Sequence, residues 1–326
     1  MSDPNPTPTR PAGVRVSAPA TSANLGPGFD VLGLALDLVD VFEVWETGTD
    51  VSIEIDGEGA DSVPRDRDNL FYVTLQKYFA EAGHQSHGLL IREHNQIPLA
   101  RGLGSSAATI VAALLAARAI SGHAMDSTGL LDLAVSLEGH PDNVAAALHG
   151  GLVMVADAGE GRYLSRSLEW SERLGAALFI PDLQLATQSA RQVLPDQYSR
   201  ADVVHNLGRL ALLVAAIKDA RIEDLRVATQ DRLHQPHRAA LVPGLAEIIA
   251  AANEAGAAGA FLSGAGPTVL AFHDRQAEGL GDRVATAMAV TAAGLGLQGR
   301  SLVLDLRRRG AEVKTIDGEL AAEATE

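Results

Sequence analysis

The chain has 326 residues, about twice the usual size of one domain, and its 47% hydrophobic and 21% charged residues are a globular composition that can bury a full core. Forty-one acidic against 26 basic side chains leave a net charge of -15, and 7 Phe, 2 Trp and 4 Tyr offer few rings for base stacking, so nucleic acid is excluded as the main partner. Without cysteine there is no disulfide framework, thiolate zinc site or Cys nucleophile, which fits a reducing cytoplasm.

Residues 1–12 are polar with four prolines, no secretory signal, and are expected to be a disordered tail. A short strand over 14–18 leads into a long Gly/Pro-punctuated loop, 19–33. Alternating residues over 41–55, broken at 47–50, predict a hairpin. Helical spacing follows over 69–82, a strand over 89–92, and an Ala/Leu-rich helix over 105–120 that should be largely buried. Its apolar stretch, 110–117, falls far short of the roughly 20 residues a membrane span needs, so no membrane partner is expected. Two short helices, 130–137 and 143–148, flank the break Gly139-His140-Pro141, and a strand covers 150–156. Past a boundary at about 158–172 the pattern restarts. It has strands near 176–180, 260–262, 268–272 and 302–306, and helices near 202–218, 222–229, 245–255 and 279–296. This predicts two α+β domains, over 13–160 and 161–313, with a flexible tail over 314–326.

Three glycine-rich segments stand out. Residues 98–108, Pro-Leu-Ala-Arg-Gly-Leu-Gly-Ser-Ser-Ala-Ala, run a glycine turn into a helix N-terminus, where unpaired N–H groups and the positive dipole end favour an anion. Gly102 and Gly104 would let backbone approach phosphates, and Ser105 or Ser106 would cap the helix or offer a hydroxyl to a metal. An ordinary capped helix gives the same pattern. Gly102, Gly104 and Ala107 fit the dinucleotide fingerprint, but no buried strand runs into the first glycine; the P-loop consensus fails because the only lysines, Lys77, Lys218 and Lys314, are elsewhere. The loop over 19–33 carries Asn24 and Asp30, and residues 262–268 form a glycine turn between apolar strands. His84/His87 and His234/His237 are spaced i, i+3, but without cysteine, and with Pro236 in the second pair, they make a poor metal site.

In this order the three segments resemble the signature motifs of the GHMP small-molecule kinases, and Pro-Ala-Thr-Ser-Ala-Asn-Leu-Gly-Pro-Gly-Phe-Asp over 19–30 resembles the homoserine kinase branch. The likeness runs from Val14 to Leu306 and takes in Glu138-Gly-His-Pro-Asp-Asn-Val144 and Ser189-Ala-Arg-Gln-Val-Leu-Pro195. It implies a two-domain α+β fold, with an N-terminal domain like ribosomal protein S5, a ferredoxin-like C-terminal domain, and the site between them. It implies γ-phosphoryl transfer from ATP, with Mg²⁺, to the side-chain hydroxyl of L-homoserine, on the way to threonine, by a cytoplasmic homodimer.

By position, the resemblance places Pro98, Leu99, Ala100, Arg101, Gly102, Leu103, Gly104, Ser105, Ser106, Ala107 and Ala108 around the phosphates and Asn69 by the adenine. Ser106 and Glu138 become magnesium ligands, and with Asn143 the catalytic positions. Asn24, Asp30, Asn143, Thr187, Arg191 and Arg238 become the homoserine site. The chemistry agrees, since a zwitterionic amino acid needs cations for its carboxylate and an anion or carbonyl for its ammonium. Asn143, an amide, cannot act as base; Asp142 and His140 are the alternatives to a transfer without one. A kinase for another small alcohol and a non-catalytic sensor are the competing readings. Asp30 with Arg191 favours an amino acid over a sugar, and Ser106 with Glu138 favours catalysis over sensing.

Overall fold

The computed structural model describes residues 13–48 and 50–316. The first sheet opens with β1 (Gly13–Asn24) and β2 (Gly28–Glu46), antiparallel from Val14 opposite Val44 to Asn24 opposite Gly28. The expected loop over 19–33 is therefore the closed end of a hairpin, turning at Leu25, Gly26 and Pro27. Ala20, Thr21, Ser22 and Ala23 are all buried, so the strand has no alternation of large apolar and polar residues to betray it. Their small side chains let helices pack close.

β3 (Ser52–Gly57), α1 (Leu70–Ala82) and β4 (Leu89–Asn95) form a parallel crossover unit; β3 pairs with β4, and β4 pairs antiparallel with Val41–Glu46 of β2. The hairpin expected over 41–55 is thus split, with β4 lying between its arms. Thr49, in its expected turn, is outside the described residues. α2 (Ser105–Ser121), α3 (Ser127–Glu138) and α4 (Pro141–His149) follow, and α2 buries nearly every residue from Ala107 to Ala117, as its composition predicts. β5 (Leu152–Gly159) takes the same edge of β2 as β4, opposite Leu32–Leu34, and β6 (Arg162–Leu168) pairs with β5.

The second unit runs β7 (Leu174–Pro181), α5 (Thr187–Gln192), α6 (Arg200–Lys218), α7 (Leu225–Ala228), α8 (Gln235–Arg238), α9 (Leu245–Glu254), β8 (Gly259–Leu262), β9 (Val269–Asp274), α10 (Leu280–Gly294) and β10 (Gly299–Leu304). Its antiparallel sheet has the order β10-β7-β9-β8. Side chains alternate between two cores, as a pleated strand requires. Ala177, Phe179, Leu262, Val269 and Ala271 pack with α9 and α10, while Leu178, Phe261, Leu270 and Phe272 join the core that continues from the first sheet. β11 (Glu312–Ile316) then returns to the outer edge of β1.

The division expected at 160/161 falls between β5 and β6, two strands of one sheet; by sheet membership the first unit extends through Leu168 and takes back Glu312–Ile316. Residues 314–316 of the expected tail are strand. The rest of that tail, 317–326, and the expected N-terminal tail, 1–12, lie outside the described residues.

One buried charge braces the entry to the glycine loop. Asp40 of β2 accepts from the backbone N–H groups of Gln96 and Ile97 at 2.6 and 2.8 Å. Burial pushes its pKa up to about 7 against those two hydrogen bonds, which pull it down. Because the folded value lies above the unfolded one, the contribution to stability is largest at low pH and is lost as pH rises from about 4 through about 7. Asp40→Asn keeps an oxygen for both donors and removes the charge. It should raise the urea unfolding free energy more at pH 8 than at pH 5, by on the order of 2 kcal/mol. An equal effect at both pH values would refute this.

Candidate active site

The pocket opens where the glycine loop, the β1–β2 turn, the start of α4, α5 and the turn after β8 converge. Gly104 caps α2 at φ 69° with no side-chain capping bond, so among the described residues no cap side chain takes the first N–H groups of the helix, at the end where Gly104, Ser105 and Ser106 line the pocket. The glycines are required for a reason beyond anion approach. A Cβ on Gly102, at φ 70°, would lie 2.3 Å from Ser263 O, and one on Gly104 would lie 1.9 Å from Thr21 Oγ1 and 3.1 Å from Asn143 Oδ1. The loop is thus seated on the other two glycine segments. Arg101 fastens it further, its guanidinium donating to the carbonyls of Leu99, Pro181 and Asp182 at 2.7 to 2.9 Å. Of the loop residues expected around the phosphates, Pro98, Ala100, Arg101, Gly102, Leu103, Gly104, Ser105 and Ser106 line the pocket. Leu99, Ala107 and Ala108 do not: Leu99 lies against Gly59, and the two alanines are fully buried core.

Glu138 ends α3, Gly139 stops that helix in the left-handed conformation, and Pro141 starts α4, so this break delivers Glu138, His140, Asp142 and Asn143 to one wall. Ser106 Oγ donates to Glu138 Oε2 at 2.6 Å. Burial raises the Glu138 pKa, opposed by the His140 charge and the Ser106 hydrogen bond. His140 lies 3.6 Å from Glu138 and 3.2 Å from Asp142. Burial alone would lower its pKa, but the hydrogen bond and charge of Asp142, with the charge of Glu138, raise it by more. Asp142 Oδ1 also accepts from the backbone N–H of Asn143 at 2.8 Å, a local bond at the helix start. Thr21 Oγ1 donates to Asn143 Oδ1 at 2.8 Å and the Asn143 NH₂ donates to Asp142 Oδ1 at 3.5 Å, which fixes the amide and leaves one NH₂ hydrogen for a ligand. Thr21 was not singled out by sequence, because its partner lies 122 residues away.

The opposite end of the pocket carries charge. Arg191 makes a two-pronged ion pair with Asp30, at 3.0 and 2.6 Å. Asn24 is buried; its amide donates to Gly264 O at 3.0 Å and its oxygen accepts from Asp30 N–H at 3.0 Å, so it sets the backbone on which Asp30 stands, a non-glycine residue at φ 56°. Thr187 begins α5 at the pocket rim. Arg238 is 1% exposed and pairs with no carboxylate among the described residues. It donates to Ala190 O and Gly264 O, and burial, with the charge of Arg191, pushes its pKa down to about 10. Phe29 lies between the two guanidinium groups, 5.4 Å from Arg191 and 5.3 Å from Arg238.

Asn69 is not brought to this pocket. It is the N-cap of α1, accepting from Tyr72 N–H and donating to Pro64 O and to Glu93 at 2.7 Å, with 1% exposure. A residue that opens a helix is legible as a cap, and Asn69 caps with its oxygen while its two amide hydrogens go to Pro64 O and Glu93. Ser106 and Glu138 do fit Mg²⁺. They are hard oxygen donors in contact with each other at the helix end that faces the phosphate cradle, and Mg²⁺ takes one or two protein oxygens with substrate phosphates rather than a full protein cage. Among the described residues no group of three or more His, Asp or Glu is arranged to hold a metal alone.

Two family descriptions match the chain: GHMP kinases N terminal domain over residues 69–151, and GHMP kinases C terminal over 213–290. The homoserine kinase of Symbiobacterium thermophilum is 48% identical over 309 residues, which covers 92% of this chain and 94% of that protein. That of Synechococcus sp. is 42% identical over 302 residues, covering 92% and 98%. The crystal structure of homoserine kinase from Cytophaga hutchinsonii matches the fold with a TM-score of 0.84 at 28% identity, over 96% of this chain and 100% of that one.

Proposed function

Given that this chain belongs to the GHMP kinases and, within them, to the homoserine kinase family, we propose that its pocket binds ATP at the glycine loop and L-homoserine between Asp30 and the two arginines. The reaction is phosphorylation of the side-chain hydroxyl of L-homoserine to O-phospho-L-homoserine with release of ADP, a step towards threonine. The observation that carries the assignment of residues is Arg238: a buried guanidinium with no carboxylate partner among the described residues, in the wall of a pocket whose other end is a helix N-terminus.

The arginines take the substrate carboxylate, and Asp30 with Asn24 takes the ammonium. Thr187 closes the rim. The N–H groups at Gly104–Ser106 receive the phosphates. Ser106 and Glu138 are the residues that would hold Mg²⁺, which when bound supplies charge neutralisation at the phosphate oxygens. The homoserine hydroxyl forms its bond to the γ-phosphorus as the bridging oxygen to the β-phosphorus leaves with ADP. Such transfers have a loose transition state, so placing the hydroxyl in line supplies much of the rate. Asn143 orients that hydroxyl through its NH₂ and takes no proton. Asp142 is engaged by His140 and by Asn143 N–H, and His140, between two carboxylates, favours its protonated form. The hydroxyl proton therefore leaves late, to a phosphate oxygen or water.

The test is ADP release with Mg-ATP against L-homoserine, L-threonine, mevalonate, galactose and no acceptor. Homoserine alone should give ADP; turnover of another alcohol overturns the substrate residues, and binding without turnover favours a sensor. A homodimer and a cytoplasmic location belong to this reading, and a single monomeric species in analytical ultracentrifugation would overturn the first. Among the described residues no helix is long and apolar enough to cross a membrane.

A further inference from the structure

Behind Arg238 lies a second layer of buried polar groups. Asp231, between α7 and α8, has a fully buried side chain. It accepts from the backbone N–H groups of Leu233, His234 and Gln235 and from Asn206 Nδ2, at 2.7 to 3.0 Å, and these bonds fix the turn that carries His234. His234 Nε2 lies 2.7 Å from Gly26 O. A carbonyl only accepts, so the ring hydrogen is on Nε2 and Nδ1 carries a lone pair. That lone pair lies 3.2 Å from Arg238 Nη1, a group that only donates. Burial lowers the His234 pKa and the charge of Arg238 adds to this, against the Asp231 carboxylate 3.5 Å from Nε2, which raises it.

The donors of Arg238 can now be accounted for. Nε–H goes to Ala190 O at 3.0 Å, and the two hydrogens of Nη1 go to Gly264 O at 2.9 Å and to His234 Nδ1. Nη2 makes no hydrogen bond among the described residues. Phe29 covers one face of the guanidinium and lies 5.5 Å from the His234 ring. What remains for a ligand is the Nη2 edge.

We propose that His234 is the positioning residue for Arg238: its Nδ1 lone pair, set by the Nε2–H bond to Gly26 O, turns the guanidinium so that Nη2 meets the carboxylate of the amino-acid substrate. The proposal rests on reading Arg238 as the carboxylate anchor. Gly26 sits in the turn between Asn24 and Gly28, so the same imidazole ties the hairpin bearing Asp30 to the helix bearing Arg238. The spacing of the ammonium and carboxylate subsites is thereby held constant.

Steady-state kinetics with Mg-ATP and L-homoserine test this with three variants. Asn keeps an acceptor near the Nδ1 position, Gln keeps a donor near Nε2, and Leu keeps neither. His234→Leu should raise the KM for homoserine about 10- to 100-fold, the range for a hydrogen bond to a charged group, with kcat and the KM for ATP within about threefold. His234→Asn should recover most of that loss and His234→Gln little of it. If Leu does not fold, the order of Asn and Gln carries the same distinction. Asn no better than Gln, or equal effects on the KM for ATP and on kcat, overturns the proposal. Arg238→Met separates the two layers: if it leaves the KM for homoserine unchanged, the anchor reading fails, and if it raises that KM while His234→Leu does not, only the positioning role falls.

Discussion

Glu138→Gln should lower kcat by about 10²- to 10⁴-fold while the KM for L-homoserine moves by less than about threefold, because several kcal/mol of charge stabilisation at the transferring phosphoryl group would be lost. The side chains are nearly the same size, and Gln can still accept from Ser106 Oγ, which lies 2.6 Å from Glu138 Oε2, so packing is preserved. What disappears is one formal negative charge at the end of α3, on the wall that faces the glycine loop. ADP release followed against magnesium concentration should show a higher magnesium requirement as well as a lower plateau. An unchanged kcat would remove Glu138 from the reaction and leave Ser106 without its partner in holding the metal.

Arg238→Met should lower kcat/KM for homoserine by about 30- to 5,000-fold, the range for losing one partner of a buried, hydrogen-bonded charge pair. Stability should respond quite differently. Burial and the charge of Arg191 push the Arg238 pKa down from 12.5 to about 10, so the empty pocket holds its cation at a cost of on the order of 3 kcal/mol. Methionine removes that cost but leaves the Ala190 and Gly264 carbonyls and His234 Nδ1 without this donor, a loss of about 1 to 3 kcal/mol each. The relief offsets much of the loss, and Tm should fall by less than about 10 °C. A variant that is inactive because it is unfolded would contradict this account, and so would one with full affinity for homoserine. Arg191, already paired with Asp30, should be less sensitive, since its charge is not left without an opposite.

Much of the site was legible in the sequence because its residues stand beside strong punctuation. The glycine loop precedes a long Ala-rich helix, and Gly139 and Pro141 mark the break that places Glu138 and Asn143. Less legible was whatever depends on partners distant in the chain. The small buried residues of 20–23 read as loop because alternation needs large side chains, and only the pairing with β2 makes them strand. β6 and β11, with polar and charged residues on much of their length, are strands because β5 and β1 offer them an edge. Asn69 is a conspicuous polar residue before a helix, and there its amide caps α1 and holds Pro64 O and Glu93. Thr21 lies inside a signature segment and His234 in an i, i+3 pair, but nothing in the sequence points to the contacts they make, nor to Asp231; each matters through one contact across more than a hundred residues or through a turn that the fold creates.

The return of β11 to β1 also bears on synthesis. During translation the outer edge of β1 exposes its N–H and C=O groups until residues 312–316 have left the ribosome, nearly the whole chain later. An open edge beside the hairpin that carries Asn24 and Asp30 invites pairing with a neighbouring nascent chain. The first unit, although it is made first, cannot be closed first. Its last strand arrives only after the second sheet is complete, and at that point Gly13 comes to lie opposite Ile316.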